Sequence, residues 1–174
     1  MSYNIIVSDD ESTVVAEYTG QHVRSEAYQT EADLEREFIA LLVEQGYEYI
    51  SVHKEEDLIA NLRAQIERLN GVSFSDGEWG RFLSEHIVNV KDKTDTIQRD
   101  HRKTFEFDDK HVGNIDLIDK EHVHNNRLQV INQYSEAGGA RGARYDVTVL
   151  VNGLPLVHVE LKRRGVDIRE AFNQ

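Results

Sequence analysis

Apolar residues in "TEADLEREFIALLVEQGYEY", residues 30–49, recur at Leu34, Phe38, Leu41 and Leu42, the spacing of a helix with one buried face. Thr30 with Asp33 has the form of a capping box at its start, and Gly46 supplies the stop. At about 100° per residue, Glu31 and Glu35 fall on the apolar stripe and Glu37 falls well off it. A carboxylate there either sits at the stripe's edge or has work to do inside. A second helix is expected near 55–69, ended by Gly71, and a third, "DGEWGRFLSEHIV", near 76–88, with Trp79 and Phe82 in the core. Residues 1–29 read as a strand or arm with little periodicity, and 90–113 as a charged connector with a short strand. "NIDLID" and "RLQVINQYSE" read as strands, "AGGARGA" as a loop, and "GVDIREAFNQ" as the start of a helix with Asp167 as N-cap. Phe172-Asn173-Gln174 carries no C-cap signal, so the chain is expected to be a fragment of something longer.

The strongest alternation lies in "RYDVTVLVNGLPLVHVELKRR". Val147, Val149 and Val151 share one side of a strand, and Val157, Val159 and Leu161 share one side of another. If both rows face the core, Val149 opposes Val157 and Val147 opposes Val159, which needs a three-residue connection, Asn152-Gly153-Leu154. On the other side Thr148 then opposes His158, and Asp146 opposes Glu160, with Lys162 following on the same face. Opposed side chains have Cβ atoms roughly 4.5–5.5 Å apart. Two carboxylates that close repel unless a cation lies between them or one takes a proton. A hard, oxygen-ligated ion such as Mg²⁺ suits the place, and a neighbouring lysine can orient water or stabilise developing negative charge. A solvated sheet face exchanging weak salt bridges among Asp146, Glu160 and Lys162 fits the bare spacing as well.

Composition narrows the setting. The 174 residues, 39% hydrophobic and 30% charged, predict one soluble globular domain, and the order of helices, then strands, then a helix makes it mixed α/β (α+β). No apolar run approaches the roughly 20 residues of a membrane span. The acidic start "MSYNIIVSDDESTVV" is no signal peptide, and the absence of cysteine excludes disulfides and thiolate zinc sites. A cytoplasmic protein is the expectation. The net charge of −12 argues against general nucleic-acid binding, but residues 127–174 carry +2 against −14 for residues 1–126. A polyanion should meet the C-terminal third.

"RYDVTVLVNGLPLVHVELKRRGVDIREAFNQ" resembles the N-terminal endonuclease domain of the R (HsdR) subunit of type I restriction-modification enzymes, in the PD-(D/E)xK nuclease superfamily. The likeness runs over 127–174 and more loosely back to the helix at 30–49; "VNGLPLV", "ELK" and "REAFNQ" occur together in order. It implies a restriction-endonuclease-like core, a central mixed β-sheet flanked by helices. It also implies that Asp146 and Glu160 ligate Mg²⁺, that Lys162 is the catalytic lysine, and that Glu35 (with Glu31 the alternative) is the carboxylate of the first core helix. Gln174 corresponds to the glutamine of the family's Gln-x-x-x-Tyr motif, whose tyrosine would fall beyond this chain. Tyr145 stands where the superfamily usually has proline. The resemblance divides a single domain into an arm (1–29), a helical region with the first strands (30–126) and a catalytic core (127–174). The family's subunit continues into an ATP-driven translocase that works with methylation and specificity subunits on DNA. This chain has no Walker A loop, so ATP belongs to the longer subunit.

Further candidates are less specific. His122-x-His124 fits a metal or a plain surface loop, and "AGGARGAR" fits a phosphate cradle or a connector. Arg141, Arg144, Arg163 and Arg164 are placed to meet the DNA backbone, and His158 either touches substrate or is an ordinary polar sheet residue. Two rival functions stand beside the restriction nuclease: a non-catalytic docking module that uses the acidic N-terminal region, and a repair or recombination nuclease of the same superfamily.

Overall fold

The computed structural model describes residues 3–8, 14–18, 30–52, 54–88, 101–135 and 144–162. Strands β1 (Tyr3–Ser8) and β2 (Val14–Tyr18) pair antiparallel within the region read as an arm. Helix α1 (Glu31–Glu44) begins at the expected capping box: the Asp33 amide donates to Thr30 Oγ1 at 3.1 Å and the Thr30 amide to Asp33 Oδ2 at 3.2 Å. Its stop coincides with Gly46 at φ +94°.

β3 (Glu48–Tyr49) is a two-residue strand that periodicity did not suggest. α2 (Glu55–Asn70) ends at Gly71 in the left-handed conformation, φ +63°. α3 (Asp76–Leu83) is shorter than expected, because its last turn widens into a π-helical turn, Ser84–Val88. β4 (Arg102–Glu106) and β5 (Val112–Asp116) form a separate antiparallel pair.

β6 (Leu128–Ser135), β7 (Arg144–Val151) and β8 (Leu154–Val159) complete the main sheet, in the order β3-β6-β7-β8. β3 runs parallel to β6 and the other neighbours are antiparallel, so the sheet is mixed, as expected for an α+β core. α2 packs on it through Leu58 against Ile131 and Leu150, and its Asn61 exchanges amide hydrogen bonds with buried Gln129 at 2.9 and 3.2 Å.

A second, aromatic cluster joins α2, α3 and the β4–β5 pair. Phe74, Trp79, Phe82, Phe105 and Phe107 are all buried, with ring centroids 5.2–5.9 Å apart in stacked, tilted and edge-on pairs. Trp79 and Phe82 are core residues as their helical spacing predicted. Buried Glu78 caps α3 and reaches Asp108 as well. The Asp108 and Ser75 amides, 2.8 and 2.7 Å away, hold its carboxyl below the ordinary value.

The hairpin keeps its expected register at Val147↔Val159, Thr148↔His158 and Val149↔Val157. Its connection differs. Val151 pairs with Leu154, so the turn is the two residues Asn152-Gly153, with φ +50° and +81°. Two left-handed residues match the twist of the flanking strands better than the longer connection does. The surplus residue is taken up between Val149 and Leu150, where the ladder jumps from Val157 to Pro155 and Leu156 is the extra residue. Pro155 can sit there because an irregular edge strand needs no donor from it.

Asn152 fixes this choice. It is fully buried, donates through Nδ2 to the Leu117 carbonyl and Asn126 Oδ1, and accepts at Oδ1 from the Arg127 amide, all within 3.0 Å. The expectation that one row of each strand faces the core also needs correction. Thr148 and Leu150 are as buried as Val147, while Val157 is 49% exposed. β7 is an inner strand covered on both sides, and β8 is an edge.

Candidate functional site

The last ladder pair of the hairpin is Val147 with Val159, so Asp146 lies just past the paired segment on β7 and Glu160 just past it on β8. The chain beyond β8 turns towards Asp146: the Leu161 amide donates to Asp146 Oδ2 at 2.6 Å. Leu161 is the residue between Glu160 and Lys162, so one backbone bond brings all three polar residues to the same open end. Lys162 Nζ in turn donates to Glu160 Oε1 at 2.6 Å. That bond, with the negative charges of Glu160, Glu31 and Asp146, raises the Lys162 ammonium above its ordinary pKa against the opposing effect of burial.

α1 packs against β3, β6 and β7. Glu31, in its first turn, is exposed, although the stripe placed it inward; its charge reaches Lys162. Glu35, one turn on, is only 8% exposed. Its Oε1 accepts from Asn132 Nδ2 at 2.7 Å and its Oε2 from Gln133 Nε2 at 3.3 Å. Asn132 is oriented by Tyr49, whose hydroxyl donates to Asn132 Oδ1 at 2.9 Å. Leu41, counted on the buried stripe, is 48% exposed.

Asn132, Gln133 and Tyr49 were not singled out from the sequence. The only signal was a polar Asn-Gln pair interrupting the apolar run of "RLQVINQYSE".

Asp146 and Glu160 supply carboxylate oxygens, the donor chemistry that Mg²⁺ selects. Among the described residues no group of three or more His, Asp or Glu side chains is gathered closely enough to hold a metal ion. A pair fits Mg²⁺ nonetheless, because that ion is usually held by one or two carboxylates and takes its remaining oxygens from water and phosphate. Of the other expected site residues, Arg144 opens β7 opposite Ser135. Arg141, Arg163, Arg164 and Gln174 lie outside the described residues, as do the "AGGARGA" loop and the Asp167 helix.

His158 is exposed, with Nδ1 3.0 Å from Thr148 Oγ1 and its ring stacked on Tyr145 at 4.0 Å. His122 and His124 are exposed at a 3-10 turn, Val123–Asn125, which Asp119 caps by accepting the His122 and Glu121 amides.

Comparison with known proteins bears on this arrangement. Residues 28–174 match the family described as the type I restriction enzyme R protein N terminus. The chain is 44% identical over 174 residues to the type I restriction enzyme EcoprrI endonuclease subunit of Escherichia coli, covering 97% of this chain and 55% of that protein. It is 40% identical over 154 residues to the SsaAORF53P endonuclease subunit of Staphylococcus saprophyticus, covering 84% and 16%. It is 39% identical over 155 residues to the SauMSSORF170P endonuclease subunit of Staphylococcus aureus, covering 85% and 16%. The chain thus spans about half the length of one of these relatives and about a sixth of the other two. With the family match extending over α1, the mixed sheet and the hairpin end, the chain belongs to the type I restriction enzyme R protein N-terminal family.

Proposed function

We propose that this chain is the endonuclease domain of a type I restriction enzyme, a PD-(D/E)xK nuclease that hydrolyses DNA phosphodiester bonds with Mg²⁺. The observation that carries the reading is the convergence of Asp146, Glu160 and Lys162 through the Leu161–Asp146 and Lys162–Glu160 bonds. Asp146 and Glu160 would hold the ion, which when bound polarises a phosphoryl oxygen and acidifies water. Lys162 orients the attacking water and offsets negative charge developing on the phosphate. Glu35 supports the carboxylate pair from α1, and Gln174 orients the lysine or the DNA. Arg141, Arg144, Arg163 and Arg164 contact phosphates. Methylation and specificity subunits are the proposed partners, with ATP used by the longer subunit and the cytoplasm as the location. No helix among the described residues is long and apolar enough to cross a membrane.

Lys162→Gln separates chemistry from metal holding. In the assembled enzyme, cleavage should fall by roughly 10²–10³, the scale for one lost charge-stabilising donor. Mn²⁺ binding should persist, because Glu160 loses a competing cation. Cleavage at the wild-type rate would instead favour the docking-module reading.

A further inference from the structure

The β7–β8 ladder ends at Val147↔Val159, and Asp146, Glu160 and Lys162 all lie past it. Ladder pairing therefore does not set how far Glu160 and Lys162 stand from Asp146. On the β7 side the backbone is held further, because β6 pairs with it out to Tyr134↔Tyr145 and Ser135↔Arg144. The β8 side belongs to an edge strand and needs another restraint.

A ring contact crosses between the two sides. Tyr145 immediately precedes Asp146, and His158 stands two residues before Glu160. Their rings stack with centroids 4.0 Å apart and planes at 19°. That is closer than the roughly 4.5–7 Å usual for aromatic pairs. Strand alternation would put Tyr145 on the side of Val147, and His158, the partner of Thr148, on the opposite side. The contact thus goes with a departure from regular alternation at this end of β7. It coincides with the φ of +52° at Gln133, between the pairs Asn132↔Val147 and Tyr134↔Tyr145.

His158 is exposed, so burial does not fix its ring. Two neighbours on β7 do: the Tyr145 ring, and fully buried Thr148, whose Oγ1 lies 3.0 Å from His158 Nδ1. Ordering an exposed side chain costs rotamer freedom that packing of the core did not require.

We propose that Tyr145 and His158 are positioning residues, whose stack clasps the end of β8 to β7 and so holds Glu160 and Lys162 at Asp146. The clasp passes the fixed position of the inner strand to the edge strand. Its effect on cleavage rests on the nuclease reading; the clasp itself needs neither metal nor DNA.

Mass-spectrometric hydrogen exchange of the full-length protein tests it through the Leu161 amide, which donates to Asp146 Oδ2. Exchange there should be roughly 3–10-fold faster in Tyr145→Ala and in His158→Ala, the range for one lost aromatic pair. Tyr145→Phe keeps the ring and should exchange as the wild type does. The double alanine variant should be no faster than either single one, because the same contact is lost. Amides of β6 should keep their wild-type exchange throughout. In the assembled enzyme each alanine should slow cleavage by a similar factor at an unchanged half-saturating DNA concentration. Wild-type exchange at Leu161 in both alanine variants, additive effects in the double variant, or loosening of β6 as well would overturn the clasp. A raised half-saturating DNA concentration would replace the positioning role with direct DNA contact. Faster Leu161 exchange with unchanged cleavage would leave the clasp standing and contradict the nuclease reading of the hairpin end.

Discussion

Alanine at Asp146 should lower DNA cleavage by the assembled enzyme by about a thousandfold or more, equivalent to about 4 kcal/mol of transition-state stabilisation. Two functions meet in this side chain. Its Oδ2 takes the Leu161 amide, which sets where Glu160 and Lys162 lie, and in the proposed function its charge would also hold the ion. Alanine removes both, so its effect alone does not say which matters. Asp146→Asn keeps an oxygen for the Leu161 amide and deletes the negative charge. Cleavage should be lost as fully in Asp146→Asn as in Asp146→Ala, with the melting temperature of the asparagine variant close to the wild type. The alanine variant should lose about 1 kcal/mol from the unmade hydrogen bond. Asparagine retaining a tenth or more of the wild-type rate would show that Asp146 serves geometry and not charge.

Gly153→Ala should be the most damaging single methyl in the hairpin, destabilising the protein by about 3 kcal/mol in urea unfolding. A Cβ at this position would lie 2.6 Å from Leu62 Cα and 3.0 Å from Leu62 N, both backbone atoms of α2 that cannot swing aside. Overpacking of this kind costs about 1–3 kcal/mol. The φ of +81° adds about 1–2 kcal/mol for any residue with a Cβ. Gly71 is the internal control: its φ is +63°, but a Cβ there meets nothing within 4 Å, so Gly71→Ala should cost only about 1 kcal/mol. Equal losses at the two glycines would mean that the turn is not seated on α2. The seat bears on function because Asn152-Gly153 sets the hairpin register, and the register decides where Asp146 and Glu160 emerge.

The local features of this fold were legible because their causes are local. The Thr30–Asp33 box, the glycine stops at Gly46 and Gly71, and the register of three hairpin pairs all follow from spacing within a few residues. What escaped the sequence depends on residues far along the chain. Nothing near Asn152 announces that Leu117, Asn126 and Arg127 will bury its amide, so the two-residue turn and the extra residue at Leu156 were not foreseen. The same is true of Glu35. Helical periodicity placed it inward, but its amide partners lie 97 and 98 residues away, and one reaches it only through a left-handed kink. Glu31 had the same periodicity and is exposed, because a stripe gives direction around a helix and not how far the covering sheet extends. The mixed sheet needed β3, whose two residues are too few to show any period.

The central claim is that Asp146 and Glu160 form one divalent-metal site. Calorimetric titration of Mn²⁺ into the full-length protein without nucleotide, beside Asp146→Ala and Glu160→Ala, tests it most directly. Saturable binding in the wild type that each substitution removes is the expected result. Equal binding in all three proteins, or none in any, would contradict a metal-dependent nuclease centre at the hairpin end.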